Sequence, residues 1–325
     1  MLSEFQLIDR YFKRPLGAGS PVQLGIGDDC ALIQAPHDDL LAISTDMLIE
    51  GRHFFVGADP YDLGHKALAV NLSDLAAMGA QPMSFTLALA LPTSDPAWLK
   101  PFSEGLLHLA ETYEIELIGG DTTCGPLTIS ITVIGRVPKS AAIKRSGAKS
   151  GDELWVSGTL GDARLALDVL QNKRSLDPHL LSQACERLHR PSPRIHLGVA
   201  LRGIATAAID VSDGLLGDLG HVLKQSSLGA TIYAQELPVG EACASQALEI
   251  RYVLACNGGD DYELCFTAPA DQHQAVINAG QLSQTRVTCI GKLHEGSGYT
   301  VLDPQGMMLS VPNQSFDHFA QAPSL

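Results

Sequence analysis

Apolar and polar positions follow two alternating periods along the first half of the chain. Short apolar runs of strand length are followed by longer stretches in which apolar residues recur every three or four positions, a pattern typical of alternating strands and helices. Asp95 followed by Pro96 is the cap expected at a helix start. The pattern predicts, in order, a strand over Leu40–Ser44 that ends at Thr45-Asp46, a helix over 62–78, a strand over Phe85–Leu91, a helix over 95–113, a strand over Ile115–Ile118 that runs into Gly119-Gly120-Asp121, and a strand over Leu127–Val137.

The second half follows a similar pattern after a basic, Gly/Ser-rich stretch at 138–151, which is the predicted domain boundary. The elements predicted here are a strand over Glu153–Ser157, helices over Gly161–Gln171 and 194–203, a strand over Thr206–Ile209 ending at Asp210, a helix over Leu215–Lys224, and strands over Ala230–Tyr233, Tyr262–Thr267, Val287–Ile290 and Tyr299–Leu302. We therefore predict an α/β (α+β) protein with two mixed α/β domains, residues 1–140 and 141–325.

Charge and composition narrow the classes of partner. The 325 residues contain 22 Lys and Arg against 36 Asp and Glu, a formal net charge of −14. Such a surface repels nucleic acid and anionic membranes, and clustered acidic residues favour a divalent cation. The N-terminus lacks the apolar segment of a signal peptide, and no apolar run approaches the roughly 20 residues of a membrane span. The seven cysteines form no C-x-x-C pair, which favours reduced thiols. We expect a soluble, cytoplasmic protein.

Familiar phosphate-binding and hydrolase motifs are absent from the sequence. The chain contains no G-x-x-x-x-G-K-[ST] loop, H-R-D catalytic loop, G-x-S-x-G elbow or H-E-x-x-H pair. Gly25-Ile26-Gly27 continues as Asp28-Asp29-Cys30, so it does not complete a dinucleotide-binding G-x-G-x-x-G motif.

Acidic motifs with neighbouring Gly, Ser, Thr or Asn recur along the chain. They are Gly25-Ile26-Gly27-Asp28-Asp29, Ser44-Thr45-Asp46, Asn71-Leu72-Ser73-Asp74, Gly119-Gly120-Asp121-Thr122-Thr123, Asp210-Val211-Ser212-Asp213-Gly214 and Gly258-Gly259-Asp260-Asp261-Tyr262-Glu263. Carboxylate and hydroxyl oxygens suit Mg²⁺, and glycine lets backbone N–H groups approach a phosphate. One such motif alone is more often a turn or a helix cap. Their recurrence at predicted strand ends favours a site where several Mg²⁺ ions bind a polyphosphate.

Four polar residues at three places in the chain allow either a local structural role or a role in a site. Asn71 and Asp74 share a helix face, so they either cap the helix locally or point into a site. Arg145 lies beside Gly147 and could bind phosphate, although a solvated linker charge is the more common role for such a residue. His53 lies in a predicted loop, and its spacing alone does not indicate a ligand.

The motifs resemble those of one family closely. GIGDDCA, STDMLIEGRHF, KALAVNLSDLAAMGA, LIGGDTT, RSGAKSGD, IDVSDGLLGDLGH and GGDDYELCF, in this order, are similar to bacterial thiamine-monophosphate kinases, and the resemblance runs from EFQLIDRYF to FDHF. The wider superfamily is that of aminoimidazole-ribonucleotide synthetase. The resemblance implies two α/β domains of that type. The first is expected to bind ATP and metal and to form a homodimer, and the second to complete the substrate site.

The resemblance also implies a reaction and a set of residues. The reaction is transfer of phosphate from ATP to thiamine monophosphate, which yields thiamine diphosphate, with several Mg²⁺ ions. Since a phosphate acceptor is already largely ionised, we predict no catalytic side chain acting as nucleophile or base. Metal ligation is implied for Asp29, Ser44, Thr45, Asp46, Asp74, Asp121, Asp210 and Asp213. Nucleotide contacts are implied for Gly120, Asp121, Arg145 and Ser212, and substrate contacts for His53, Asp260 and Phe316.

The chain departs from the family pattern at two of these positions. Asp260 stands where the family usually has Glu, and Phe316 stands where it often has Tyr or Trp. A carboxylate one methylene shorter would contact the substrate directly, contact it through water or lose the contact, and Phe316 could stack but not donate a hydrogen bond.

Three other functions remain open from the residues alone. Another ATP-using synthetase of the superfamily would share the metal motifs but differ in the acceptor pocket, and the GRHF stretch at His53 favours the thiamine enzyme over it. A metal-dependent phosphohydrolase would also use converging aspartates. A nucleotide sensor without catalysis is disfavoured by the complete acidic set.

Overall fold

The fold is taken from a computed structural model that describes residues 10–15, 20, 22–24, 32–33 and 39–311. These residues form two compact units. The first comprises the described residues up to Leu75 together with Ala80–Ser140, and the second comprises Ala76–Gly79 and the described residues from Ala141 onwards.

The first unit is built on a four-stranded mixed sheet. Its strands lie in the order β3-β6-β4-β5, with β4 and β5 parallel and the other pairs antiparallel. The elements of this unit are β1 (Val22–Leu24) and β2 (Leu32–Ile33), which pair with each other, β3 (Asp39–Ile49), α1 (Pro60–Ala77), β4 (Gln81–Leu91), α2 (Pro96–Thr112), β5 (Glu116–Cys124) and β6 (Thr128–Pro138).

The two helices of this unit approach each other closely at two glycines. A Cβ atom on Gly64 of α1 would lie 2.1 Å from the carbonyl oxygen of Phe102, and a Cβ on Gly105 of α2 would lie 2.0 Å from that of Tyr61. Only glycine permits backbones to meet at these distances. The crossing fixes α1, which carries Asn71 and the predicted site residue Asp74.

The second unit contains a six-stranded mixed sheet in the order β12-β9-β11-β7-β10-β8. Only β12 and β9 are parallel among its pairs. Its elements are β7 (Glu153–Ser157), α3 (Asp162–Leu170), α4 (Pro178–His189), α5 (Ile195–Ala200), β8 (Ala207–Asp210), α6 (Leu215–Ser226), β9 (Leu228–Tyr233), α7 (Glu241–Ala244), α8 (Leu248–Asn257), β10 (Leu264–Ala268), α9 (His273–Leu282), β11 (Val287–Glu295) and β12 (Gly298–Leu302).

These elements confirm the prediction of a mixed α/β fold. The cap at Asp95 is also confirmed, since its carboxylate accepts a hydrogen bond from Ala97 N at 2.9 Å. Helices α4, α7, α8 and α9 were not predicted, although α4 begins with the same signal: Asp177 precedes Pro178 and accepts from His179 N. No helix in the described ranges is long and apolar enough to cross a membrane.

Two predictions about the acidic motifs are wrong. Ser44-Thr45-Asp46 does not end a strand but lies in the middle of β3, which continues to Ile49. Likewise β5 does not end before Gly119 but runs through Asp121 to Cys124. In both places the ladder to a neighbouring strand continues past the polar residues, and pairing with a neighbour outweighs local composition.

Candidate active site

Two hydrogen bonds join β3 to α1, one from a side chain of the strand and one from its backbone. Ser44 Oγ donates to Asp74 Oδ2 at 2.5 Å, and Asp46 N donates to Asn71 Oδ1 at 3.0 Å. Asn71 is buried, and its amide nitrogen donates to Ala67 O at 2.9 Å. Asn71 and Asp74 therefore face the strand, and the structure brings Ser44, Asp46, Asn71 and Asp74 into one group.

Thr45 lies on the other face of β3. Successive strand residues point to opposite sides of a sheet. The hydroxyl of Thr45 is 2.8 Å from that of Thr132 on β6, within the exposed face of the sheet. The structure thus separates the Thr45 side chain from Ser44 and Asp46.

Gly120 and Asp121 lie on β5, at the opposite edge of the sheet from β3. Three strand spacings separate the two edges, about 14 Å in all. Gly120 has φ +147°, and a Cβ there would lie 1.8 Å from Leu87 O, so no side chain fits. Asp121 is exposed. The described structure therefore places Asp121 apart from the group on β3 and α1.

His53 stabilises the turn that follows β3. Its Nδ1 accepts a hydrogen bond from Ile49 N at 2.9 Å, and its backbone N donates to Ile49 O at 2.9 Å. The expected loop position is confirmed. With Nδ1 as an acceptor, the neutral imidazole carries its proton on Nε2.

In the second unit, Asp210 ends β8 and Ser212-Asp213 forms the loop that enters α6. The backbone N–H groups of Ser212 and Asp213 donate to Asp218 Oδ2 at 3.0 and 3.1 Å. Burial, followed by the charge of Asp213, raises the pKa of Asp218 to about 7. Asp218 was not predicted, although its position in the first turn of a helix after Ser-Asp-Gly is a capping signal.

Arg145 is exposed and lies near this loop. Its positive charge is one of the influences that lower the pKa of Asp218, against the larger effects of burial and of Asp213. Its carbonyl oxygen also accepts from Ser226 Oγ at 3.5 Å. The arginine therefore lies within electrostatic range of the loop that carries Ser212 and Asp213.

The segment around Asp260 runs beside the same loop. Asp260 N donates to Ser212 O and Tyr262 N donates to Val211 O, both at 2.9 Å. Asp260 and Tyr262 have φ values of +67° and +49°, a left-handed conformation that costs a non-glycine residue roughly 1–3 kcal/mol. The predicted strand over Tyr262–Thr267 is therefore wrong at its start, and β10 begins at Leu264.

Comparison with known proteins identifies the family. Residues 27–137 match the family "AIR synthase related protein, N-terminal domain". The chain is 48% identical over 328 residues to the thiamine-monophosphate kinase of Salmonella typhimurium strain LT2, with 98% of each chain covered. The chain belongs to the thiamine-monophosphate kinase family.

Two solved structures extend this family likeness to the fold. The thiamine-monophosphate kinase of Stenotrophomonas maltophilia K279a is 44% identical, with a TM-score of 0.82 over 86% of this chain and 91% of that one. AaThiL complexed with AMPPCP and TMP is 29% identical, with a TM-score of 0.75 over 87% and 89%.

The side chains of the group on β3 and α1 fit a bound Mg²⁺ ion. The group on β3 and α1 offers a hydroxyl and two carboxylates, from Ser44, Asp46 and Asp74, without nitrogen or sulfur, as a hard cation prefers. Within the ranges that the structure describes, no three His, Cys, Asp or Glu side chains cluster closely enough to hold a metal ion. Asp29 and Phe316 lie outside the described residues.

Proposed function

We propose that this protein transfers the γ-phosphoryl group of ATP to the phosphate of thiamine monophosphate, forming thiamine diphosphate. The observation that carries the proposal is the 48% identity to a thiamine-monophosphate kinase over 98% of both chains. The match to the AIR synthase related family covers only residues 27–137 and would suit any member of the superfamily. Identity that continues through the second unit favours the kinase.

The acceptor in this reaction is a phosphate monoester, so the protein does not need to supply a general base. The second pKa of such a group is about 6, so its oxygen is largely ionised at neutral pH and needs no general base. Two anions must instead be brought together in line, which requires positioning and charge neutralisation. The described carboxylates, hydroxyls and backbone N–H groups can supply this positioning and charge neutralisation, which agrees with direct transfer.

Magnesium is the cation that we propose for this site. Bound Mg²⁺ would neutralise the phosphate oxygens and orient them. Ser44, Asp46 and Asp74 are the members of the proposed ligand set best supported by their mutual geometry. Thr45, whose hydroxyl faces the other side of β3, is the least supported. The full proposed set is Asp29, Ser44, Thr45, Asp46, Asp74, Asp121, Asp210 and Asp213.

Nucleotide contacts are proposed for Gly120, Asp121, Arg145 and Ser212. Gly120 is exposed, and the guanidinium of Arg145 can offer two parallel hydrogen bonds to a phosphate. Substrate contacts are proposed for His53, Asp260 and Phe316.

The proposed domains are residues 1–140 for ATP, metal and dimerisation and 141–325 for the substrate contacts at Asp260 and Phe316.

A homodimer through the first unit is supported by the exposed face of its sheet. Leu41, Ile43, Met47 and Ile49 alternate along β3 and are 42%, 64%, 53% and 37% exposed. They form a row of apolar side chains on one face, next to Ile134 of β6. A row of this kind on an edge strand is typical of a protein interface, and a second copy of this chain would cover it.

The experiment that tests the function compares acceptors. The protein is incubated with ATP and Mg²⁺ together with thiamine monophosphate, thiamine or no acceptor, and thiamine diphosphate is measured by fluorescence after oxidation to its thiochrome. We expect product only with thiamine monophosphate. A protein that forms no thiamine diphosphate under these conditions, while folded and Mg²⁺-loaded, would contradict the proposal.

A further inference from the structure

The segment Gly258–Glu263 holds an unusual backbone conformation. Two of its non-glycine residues, Asp260 and Tyr262, have positive φ values. Residues without glycine's freedom keep this conformation only where their surroundings fix it. The residues between and after them, Asp261 and Glu263, are 1% and 0% exposed, so alternate side chains anchor the segment in the interior.

The first anchor is the carboxylate of Asp261. Both of its oxygens accept from Gly161 N, at 3.1 and 2.9 Å, at the start of α3. These contacts tie the side chain of Asp261 to the N-terminus of α3.

The second anchor is the carboxylate of Glu263. Ser157 Oγ donates to Oε2 at 2.6 Å, and Arg187 Nη2 donates to Oε1 at 2.7 Å. Arg194 donates through Nε to Oε2 at 2.6 Å and through Nη2 to Oε1 at 2.5 Å. A carboxylate has about four lone-pair sites, so these four bonds saturate it. Glu263 is therefore unavailable to a ligand.

Arg187 contributes one more contact to the segment. Its Nη2 also donates to the carbonyl oxygen of Asp261 at 3.2 Å, so one guanidinium contacts both the backbone and a side chain of the segment. The two arginines come from α4 and from the residue before α5, and both are mostly buried. A guanidinium fork fixes the orientation of a carboxylate as well as its position, whereas an ammonium fixes only one point.

We infer that Arg187 and Arg194, acting through Glu263, are positioning residues that hold the Gly258–Glu263 segment in the conformation that presents Asp260 to thiamine monophosphate. The inference rests on the proposed substrate role of Asp260. Glu263 lies three residues from Asp260, which is itself left-handed, and the backbone between them includes the second left-handed residue, Tyr262. Loosening the fork lets that backbone relax and moves the Asp260 carboxylate, while the fold around it persists.

The test compares Arg194→Lys and Arg187→Lys with two reference variants. Asp260→Asn removes the substrate carboxylate while keeping a residue that tolerates positive φ. Arg174→Lys is the matched control, since Arg174 also pairs with a buried carboxylate, that of Asp168 at 3.2 Å, and makes no hydrogen bond to the segment in the described structure. For each protein, KM for thiamine monophosphate, KM for ATP, kcat and Tm are measured.

We expect Arg194→Lys to raise KM for thiamine monophosphate at least fivefold with KM for ATP within twofold of wild type, as for Asp260→Asn, and Arg187→Lys to do so to a smaller extent. Arg174→Lys should leave both constants unchanged. If Arg194→Lys does not fold, the same measurements on Arg187→Lys decide the outcome.

Two results would overturn the inference, and they are distinguishable. If both Arg→Lys variants lower Tm but leave both KM values unchanged while Asp260→Asn raises that for thiamine monophosphate, the arginines only stabilise the fold. If Asp260→Asn itself has no effect on KM, the substrate role of Asp260 fails, and the inference fails with it. A wild-type protein that forms no thiamine diphosphate contradicts instead the proposed function.

Discussion

Ser44 and Asp74, 30 residues apart in the chain, are joined by a hydrogen bond of 2.5 Å from the serine hydroxyl to the aspartate carboxylate. The bond connects the middle of β3 to the last turn of α1, and a second bond from Asp46 N to Asn71 Oδ1 joins the same two elements. Two motifs that are separate in the sequence thus form one oxygen-rich group.

The first prediction concerns the two carboxylates of this group. Asp46→Asn and Asp74→Asn should each lower kcat by about a hundredfold or more, because an amide cannot neutralise a cation as a carboxylate does. Circular dichroism and Tm should show an intact fold. The assay is thiamine diphosphate formation over a range of Mg²⁺ concentrations.

Asp95→Asn is the matched control for these variants. Asp95 is also an aspartate of the first unit, but it caps α2, and asparagine caps a helix equally well. Its turnover should be that of wild type. Near-normal turnover of folded Asp46→Asn or Asp74→Asn at limiting Mg²⁺ would remove that residue from the proposed metal set.

The second prediction concerns Arg145. Arg145→Lys keeps the charge but loses the two-point contact with a phosphate, so KM for ATP should rise about fivefold to tenfold while KM for thiamine monophosphate changes little. Initial rates at varied concentrations of each substrate measure this. Unchanged KM for ATP and unchanged kcat would show that Arg145 is a solvated surface charge.

The third prediction concerns the carboxylate at Asp260. Asp260→Asn should raise KM for thiamine monophosphate and spare ATP, whereas Asp260→Glu should keep KM near wild type and lower Tm slightly. The reason for the loss of Tm is that aspartate and asparagine tolerate the φ of +67° better than glutamate does. If Asp260→Ala lowers Tm while neither Asp260→Ala nor Asp260→Asn changes KM, the residue serves only the turn.

The fourth prediction concerns pH and the buried carboxyl of Asp261. Burial raises its pKa well above the ordinary value of 3.8, against the opposing effects of the Gly161 hydrogen bond and of Arg187. The folded state therefore holds this proton more tightly than the unfolded state. The stability that this group contributes is complete below the ordinary pKa and is lost as pH rises through the folded-state pKa.

Asp261→Asn removes this titration while its carbonyl oxygen can still accept from Gly161 N. The difference in Tm between the variant and wild type should become more positive from pH 5 to pH 9, measured without substrates. A difference that is flat, or that falls with pH, would show that Asp261 is ionised throughout.

The fifth prediction concerns the apolar row on β3. Ile43→Glu should shift the protein from dimer to monomer in light scattering coupled to size-exclusion chromatography, because a buried unpaired charge opposes association. Leu282→Glu is the control, since Leu282 is 83% exposed and lies on α9 of the second unit. A wild-type monomer, or a dimer unaffected by Ile43→Glu, would contradict the proposed interface.

The sequence predicted most elements because their signals are local. The apolar alternation of β6 and the Asp-Pro cap of α2 each depend on a few neighbouring residues. The acidic motifs were found in the same way. Local signals did not reveal the ends of β3 and β5. These strands continue past Asp46 and Asp121 because they pair with strands that are distant in the sequence.

The contacts within the candidate site could not be predicted from local sequence signals for the same reason. Glu263 belongs to a visible motif, but its partners Arg187 and Arg194 are 76 and 69 residues away. The positive φ of Asp260 likewise depends on these anchors and on the pairing with Ser212. The spacing of residues in a single sequence does not show which distant residues come into contact.

The most direct test of the account measures ADP and thiamine diphosphate together in one reaction of the wild-type protein with ATP, Mg²⁺ and thiamine monophosphate. Direct transfer predicts that the two products accumulate in a ratio of one to one, and that omitting thiamine monophosphate stops ADP formation. ADP released at the same rate without the acceptor, with no thiamine diphosphate formed when it is present, would show that the protein is a phosphohydrolase and would contradict the account.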